Sequence, residues 1–146
     1  MTSIKELEKT MRINYFSQII LTQGIVRLMM RNKNGAIVNI SSVSGIDGDP
    51  GTLSYGSSKA SLIFATKTIS NEVGKYNIRV NTIAPGPIIT DMLEQMDEKA
   101  KEAMISRTAL GKIGSAEDVA NLSMFLSSDL SKHITGQTIR IDGGMS

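Results

Sequence analysis

Ala36-Ile37-Val38-Asn39-Ile40-Ser41-Ser42 is the stretch on which the reading of this chain turns. Its first five residues are a short, nearly continuous apolar run, the mark of a strand buried on both faces. Ser41 and Ser42 then stand at the strand's C-terminal end. Before the run, Asn32-Lys33-Asn34-Gly35 supplies turn chemistry and a glycine suited to the left-handed conformation that ends helices. After it comes a loop rich in Gly, Asp and Pro, from Val43 to Ser54.

Outward from this strand the period changes. From about Ser3 to Met30, Ile13, Phe16, Ile20, Ile25, Leu28 and Met29 recur at helical spacing. Asn14 falls inside that pattern, where a helix has no use for it; it is solvated or it has a task. Downstream, a helix is expected from about Tyr55 to Tyr76, with Leu62, Ala65, Ile69 and Val73 as its apolar stripe. Ile78 to Ala84 reads as a second buried strand, stopped by Pro85-Gly86-Pro87. Residues Thr90 to Thr108 are charged and methionine-rich, and read as one or two short helices forming a flap. Met92, Met96 and Met104 there fit an adaptable substrate cover or a core face equally well. Ser115-Ala116-Glu117-Asp118 has the cap and first-turn acids of a helix N-terminus, and Gln137 to Asp142 reads as a third strand.

Helices and strands alternate throughout, the pattern of a parallel sheet with helices on its faces. The expected fold class is α/β, three-layered and Rossmann-like, in a single domain over residues 1–146. In such sheets ligands bind beyond the C-terminal ends of the strands. Ser42, Tyr55 and Thr90 all fall there.

Composition narrows the function classes. Net charge is +2, with 40% hydrophobic and 21% charged residues, ordinary for a globular protein. No basic stripe interleaved with aromatics speaks for nucleic acid. The absence of cysteine removes disulfides and thiolate sites. His133, alone in a polar loop, has no second ligand for a metal. No signal-like segment or membrane-spanning run is seen, so a cytoplasmic location and no membrane partner are expected. Asp97, Glu98 and Glu102 read as a solvated face.

Tyr55-Gly56-Ser57-Ser58-Lys59 carries the chemistry. Tyr55 and Lys59, four positions apart, share one face of a helix. A neighbouring ammonium favours the phenolate, which makes Tyr55 a candidate acid/base. Ser42 is placed to hydrogen-bond the same reacting oxygen. Ser41 is the weaker candidate, because strand alternation turns it the other way. Asn39 and Asn81 are expected to satisfy backbone groups at the strand ends.

Asn14, Ile37-Val38-Asn39-Ile40-Ser41-Ser42, Tyr55-x-x-x-Lys59, Asn81-x-x-x-Pro85-Gly86-Pro87-Ile88-x-Thr90 and Asp142-Gly143-Gly144 together resemble the short-chain dehydrogenase/reductases. The thirteen-residue step from Ser42 to Tyr55 fits as well. The nearest group is that of 3-oxoacyl-[acyl-carrier-protein] reductases and bacterial hydroxysteroid dehydrogenases. The resemblance implies hydride transfer between NAD or NADP and a small-molecule carbonyl or secondary alcohol, with Tyr55 exchanging the proton. It implies that Ser42 holds the oxygen, that Lys59 lowers the tyrosine pKa and meets the nicotinamide ribose, and that Asn14 fixes a water leading to Lys59. Pro85, Gly86, Ile88 and Thr90 would line the nicotinamide.

The family begins with a strand, a Gly-rich turn and a helix that hold the pyrophosphate, and this sequence shows no such beginning. Gly45 to Gly51 has the wrong glycine spacing, and Asp47 and Asp49 would repel phosphate. The expectation is therefore a C-terminal portion of the fold, with the edge of Ala36–Ile40 bare. Partners would be a further copy, as dimer or tetramer, or a missing N-terminal half. The alternative is a catalytically silent remnant that acts only in assembly.

Overall fold

The computed structural model describes residues 2–89 and 97–145. Thr90, Met92 and Met96 therefore lie outside the described residues, as does the first part of the expected flap, residues 90–96.

The long N-terminal helix comes in three parts. Helix α1 (Ile4–Met11) is capped by Ser3, whose side chain accepts from the Glu6 amide. It passes without a break through a π turn (Arg12–Phe16) into α2 (Ser17–Asn32). The expected simple helix thus carries a local widening centred on Asn14. Such single π turns shift the register of the residues they contain and recur at functional sites. Its stop also differs from expectation: Lys33 takes the left-handed conformation, at φ 48°, and not Gly35. Gly35 is needed for another reason, since a Cβ there would sit 2.3 Å from the Met29 sulfur.

Strand β1 (Gly35–Ile40) follows, then a short helix α3 (Ser44–Asp47) within what the sequence suggested was plain loop. Helix α4 (Leu53–Val73) begins two residues before Tyr55 and runs through a 3-10 turn (Gly74–Tyr76) into β2 (Ile78–Pro85). Helix α5 (Glu98–Ser106) is capped by Asp97 and holds the half-buried Met104. Helix α6 (Ala116–Ser127) opens on a reciprocal Ser115–Asp118 capping box. The Ser115 amide and hydroxyl hold the Asp118 carboxyl below the usual carboxylate range. A 3-10 turn (Asp129–Ser131) and β3 (Thr138–Ile141) complete the described chain.

The three strands form one parallel sheet in the order β1-β2-β3, with Ile40 opposite Ile83 and Pro85 opposite Ile141. Alternation along β2 sorts the layers. Ile78 and Val80 pack with Val26 of α2 and Val73 of α4, and Met29, Met30, Ile37, Ile69 and Tyr76 close over them. Arg79 points to the other face, where it donates to the Leu126 carbonyl at 2.7 Å and the Ser128 carbonyl at 3.1 Å. A cation at those orphan carbonyls complements the end of α6. Two helices on one face and one on the other give the expected three layers.

Two strand expectations change. As the edge strand, β1 is half-buried rather than buried on both faces, with Ile40 43% exposed. Asn39 does not satisfy a strand end; its amide donates to Thr66 Oγ1 of α4 at 2.9 Å, a bond between buried groups. Asn81 does what was expected, donating to the Ile134 carbonyl and accepting from the Gln137 amide.

Candidate active site

Parallel pairing brings the C-terminal ends of all three strands to one edge of the sheet. Ser41 and Ser42 leave β1 there, Pro85 and Gly86 leave β2, and Asp142 leaves β3. The Ser41 hydroxyl donates to the Lys59 carbonyl at 2.9 Å and is thereby spent on seating α4. Ser42, two residues past the strand, keeps its hydroxyl on the other side, where Oγ accepts from the Ser44 amide at 3.2 Å.

Tyr55 lies in the first turn of α4 and is 42% exposed, so its phenol is open to a ligand. One turn later the Lys59 ammonium sits 5.6 Å from the centre of the Tyr55 ring. Lys59 Nζ donates to the Ile40 carbonyl at 2.9 Å. The next amide, that of Ser41, turns toward β2 and bonds the Ile83 carbonyl, so the Ile40 carbonyl faces the open edge of the sheet. Burial lowers the Lys59 ammonium from its ordinary 10.5.

Asn14 reaches the same region from the π turn. Its Nδ2 donates to Ser58 Oγ at 3.2 Å, and the Ser58 hydroxyl donates to the Tyr55 carbonyl at 2.7 Å. Asn14 and Lys59 also line one cleft of about 380 Å³, with Ile13, Gln18, Val38, Asn39 and Ile40 as its other walls. A polar cleft of that size has room for water between Asn14 and Lys59.

Two glycines set the distance between the Ser42 segment and α4. A Cβ on Gly45 would come within 2.8 Å of the Lys59–Ala60 backbone, and one on Gly56 within 2.6 Å of the Ser44 carbonyl oxygen. Each glycine admits the other segment's main chain. The sequence presents Gly45 only as part of a rejected phosphate loop, whereas Gly56, a lone glycine inside a helical pattern, is itself a signal of close packing. The Pro85 carbonyl accepts from the Val43 amide at 3.0 Å, which ties the Ser42 segment to the turn after β2. Gly86 lies against Asp142, where a Cβ would meet the aspartate Cβ at 2.7 Å.

Ile88 sits further off. It bridges to Gly114 and lines a separate cleft with Leu110, Asp118 and Ile141. Residues 45–51 form no phosphate cradle: α3 ends at Asp47, which pairs with Arg140, and Asp49 pairs with Arg107 at 3.1 Å. Arg140 is held charged above its ordinary range by Asp47 and then Asp142. Burial raises the Asp142 carboxyl, and the Arg140 hydrogen bond with the Gly144 and Met145 amides outweighs it, so the net direction is down. Residues 45–51 thus offer no built grip for a pyrophosphate. Among the described residues no group of acidic or histidine side chains is arranged to hold a metal, and no helix is long and apolar enough to cross a membrane.

The family model described as enoyl-(acyl carrier protein) reductase matches residues 1–146. The 3-oxoacyl-[acyl-carrier-protein] reductase FabG of Rickettsia felis is 45% identical over 141 residues, covering 97% of this chain and 58% of the relative. FabG of Thermotoga maritima is also 45% identical, with 97% and 57% covered. Among solved structures, the 3-oxoacyl-[acyl-carrier protein] reductase of Brucella melitensis superposes with a TM-score of 0.95 at 30% identity, over 99% of this chain and 54% of that one. ElxO with NADP bound gives 0.92 at 32% identity, over 98% and 59%. The chain therefore spans less than three-fifths of the length of these relatives. Within that span the match is continuous, and the chain belongs to the short-chain dehydrogenase/reductase family, close to the 3-oxoacyl-[acyl-carrier-protein] reductases.

Proposed function

We propose that residues 1–146 form the catalytic portion of an NAD(P)-dependent oxidoreductase acting on a small carbonyl compound or the matching secondary alcohol. The observation that carries this reading is the placement of Tyr55 and Lys59 one turn apart on α4, at the edge where β1 delivers Ser42. A bound nicotinamide supplies the hydride to the carbonyl carbon, or accepts it from the alcohol.

The chain's own residues handle the proton and the geometry. In the reducing direction the Tyr55 hydroxyl gives its proton to the carbonyl oxygen while the Ser42 hydroxyl donates a hydrogen bond to that oxygen. Stabilising charge where it develops is the larger part of such catalysis. Lys59 holds positive charge beside the resulting phenolate. Water in the cleft that Asn14 and Lys59 line would carry a proton to Lys59, which passes it on to Tyr55. Pro85 and Gly86 would hold the nicotinamide ring against these groups, and the resemblance assigns Ile88 and Thr90 to the same task. The pyrophosphate grip is assigned to the part of the longer relatives that this chain does not match.

The test is a fluorescence titration with NADH and NADPH, followed by turnover of a ketone panel by wild type and Tyr55→Phe. Tyr55→Phe should leave nucleotide affinity within a factor of about two and lower turnover about 10²–10⁴-fold, the usual worth of a positioned acid/base. A variant that kept most of its rate would remove Tyr55 from this role.

A second reading, an assembly module without turnover, draws on the exposed apolar side chains of the long helices, Phe64 above all. Nucleotide binding by the isolated chain would count against it.

A further inference from the structure

We propose that Arg140 is a positioning residue, whose guanidinium fixes the segment carrying Ser42 by gripping Asp47 from the far strand of the sheet. The proposal rests on the reading above in one respect, that Ser42 meets the substrate oxygen.

Arg140 stands on β3 and Asp47 at the end of α3, ninety-three positions apart. Nη1 donates to Asp47 Oδ1 at 2.7 Å and Nη2 to Asp47 Oδ2 at 2.8 Å, a parallel two-bond fork. The Nε of the same guanidinium donates to Asp142 Oδ2 at 2.5 Å, and Nη2 also reaches the Met145 carbonyl at 3.2 Å. Asp142 is in turn fixed by the Gly144 amide and packs against Gly86. One planar cation therefore joins the segments that leave β1 and β3, and its partner Asp142 abuts Gly86 in the turn that leaves β2. Lysine has the charge but not the fork, so the geometry is specific to arginine.

The charge pair is about one-third exposed on each side, where an ion pair contributes little to global stability. Its effect is local. Asp47 closes the short helix whose first residues bond back to Ser42 and whose approach to α4 depends on Gly45 and Gly56. Arg107 adds a second tie from the end of α5, to Asp49 in the same loop. Two arginines from distant elements thus hold the loop between Ser42 and Tyr55.

Residue-resolved amide hydrogen exchange on the whole 146-residue chain tests this without requiring turnover. The reporters are the Val43 amide, bonded to the Pro85 carbonyl, and the Ser44 amide, bonded to Ser42 Oγ. In R140Q and in D47N both should exchange about tenfold faster, while the Val80 and Ile83 amides of β2 keep their rates. The D47N/R140Q double variant should be no faster than R140Q, because one interaction is lost in all three. R140K should recover only part of the protection. Unchanged reporters, an acceleration shared by β2, or full recovery in R140K would overturn the proposal. Should R140Q fail to fold, D47N alone gives the same two-way answer. These exchange changes together with a Tyr55→Phe variant that kept most of its rate would sink the proposed function and leave the Arg140 fork standing.

Discussion

Asn14 and Ser58, forty-four positions apart, are joined by a hydrogen bond of 3.2 Å that ties the π turn of the N-terminal helix to the helix of Tyr55 and Lys59. Ser58 is fully buried and hands its own proton to the Tyr55 carbonyl. The bond thus locks the turn of α4 that carries the candidate acid/base. Asn14→Leu leaves Ser58 with one partner fewer and puts an apolar branch in a polar cleft. The expected cost is about 1 kcal/mol, or about 2–4 °C in thermal midpoint for a domain of this size. Differential scanning fluorimetry reads it directly, and an unchanged midpoint would show that the π turn is held by its neighbours alone.

Gly56 and Ser44 make the tightest approach between the Ser42 segment and α4. Alanine at position 56 has ordinary helical dihedrals available, so intrinsic propensity favours the change. The new methyl would nonetheless press on the Ser44 carbonyl oxygen at 2.6 Å, and a backbone atom has to give way. Overpacking of that kind costs about 1–3 kcal/mol. A urea midpoint lower in Gly56→Ala than in wild type is expected, in a helix where the same substitution would ordinarily stabilise. A higher midpoint would mean that α3 moves aside freely.

Lys59 gives the chain a pH dependence of definite sign. Burial holds its folded-state pKa below 10.5. Between that lowered value and 10.5 the unfolded chain binds the lysine proton more tightly than the folded chain does, so stability rises with pH across that window. Lys59→Met lacks the group while keeping an unbranched chain of similar length. The unfolding free energy of wild type minus that of Lys59→Met should therefore grow as pH climbs from the lowered folded-state pKa toward 10.5, whatever its offset at neutrality. Denaturant midpoints of both proteins across that range check it; a flat or falling difference would contradict the burial of the ammonium.

Much of this site was legible because its signals are local or periodic. Tyr55 and Lys59 meet through helical spacing, and Ser41 and Ser42 separate by strand alternation. The apolar runs at 36–40 and 78–84 announce strands regardless of context. What escaped depends on contacts that spacing does not encode. The widened turn at Asn14 is tied to α4 by the bond to Ser58, a contact forty-four positions away in sequence. The left-handed residue that ends the helix is Lys33, while Gly35 is needed to clear the Met29 side chain, a contact that spacing does not announce. In the sequence pattern Asp47 and Asp49 stand only as obstacles to phosphate. Their arginine partners lie 93 and 58 positions away, beyond any local pattern.

Phe64 is 74% exposed on α4, and Ile20 of α2 is 70% exposed. Phe64 also borders a groove of about 310 Å³ with Tyr15, Ile19 and Val26, so the apolar surfaces of the two long helices are continuous. Exposed patches of this kind mark association surfaces. Wild type should sediment as a multiple of 15.8 kDa, and Phe64→Glu should shift that equilibrium toward the single chain. A charge placed at the centre of such a contact is expected to weaken it by at least about tenfold, since an unpaired carboxylate would have to be buried. Because Phe64 is largely exposed within the single chain, circular dichroism of Phe64→Glu at low concentration should match wild type. Wild type sedimenting as a single chain would remove the assembly role from these helices. A Phe64→Glu protein of unchanged mass would move the interface elsewhere on the surface.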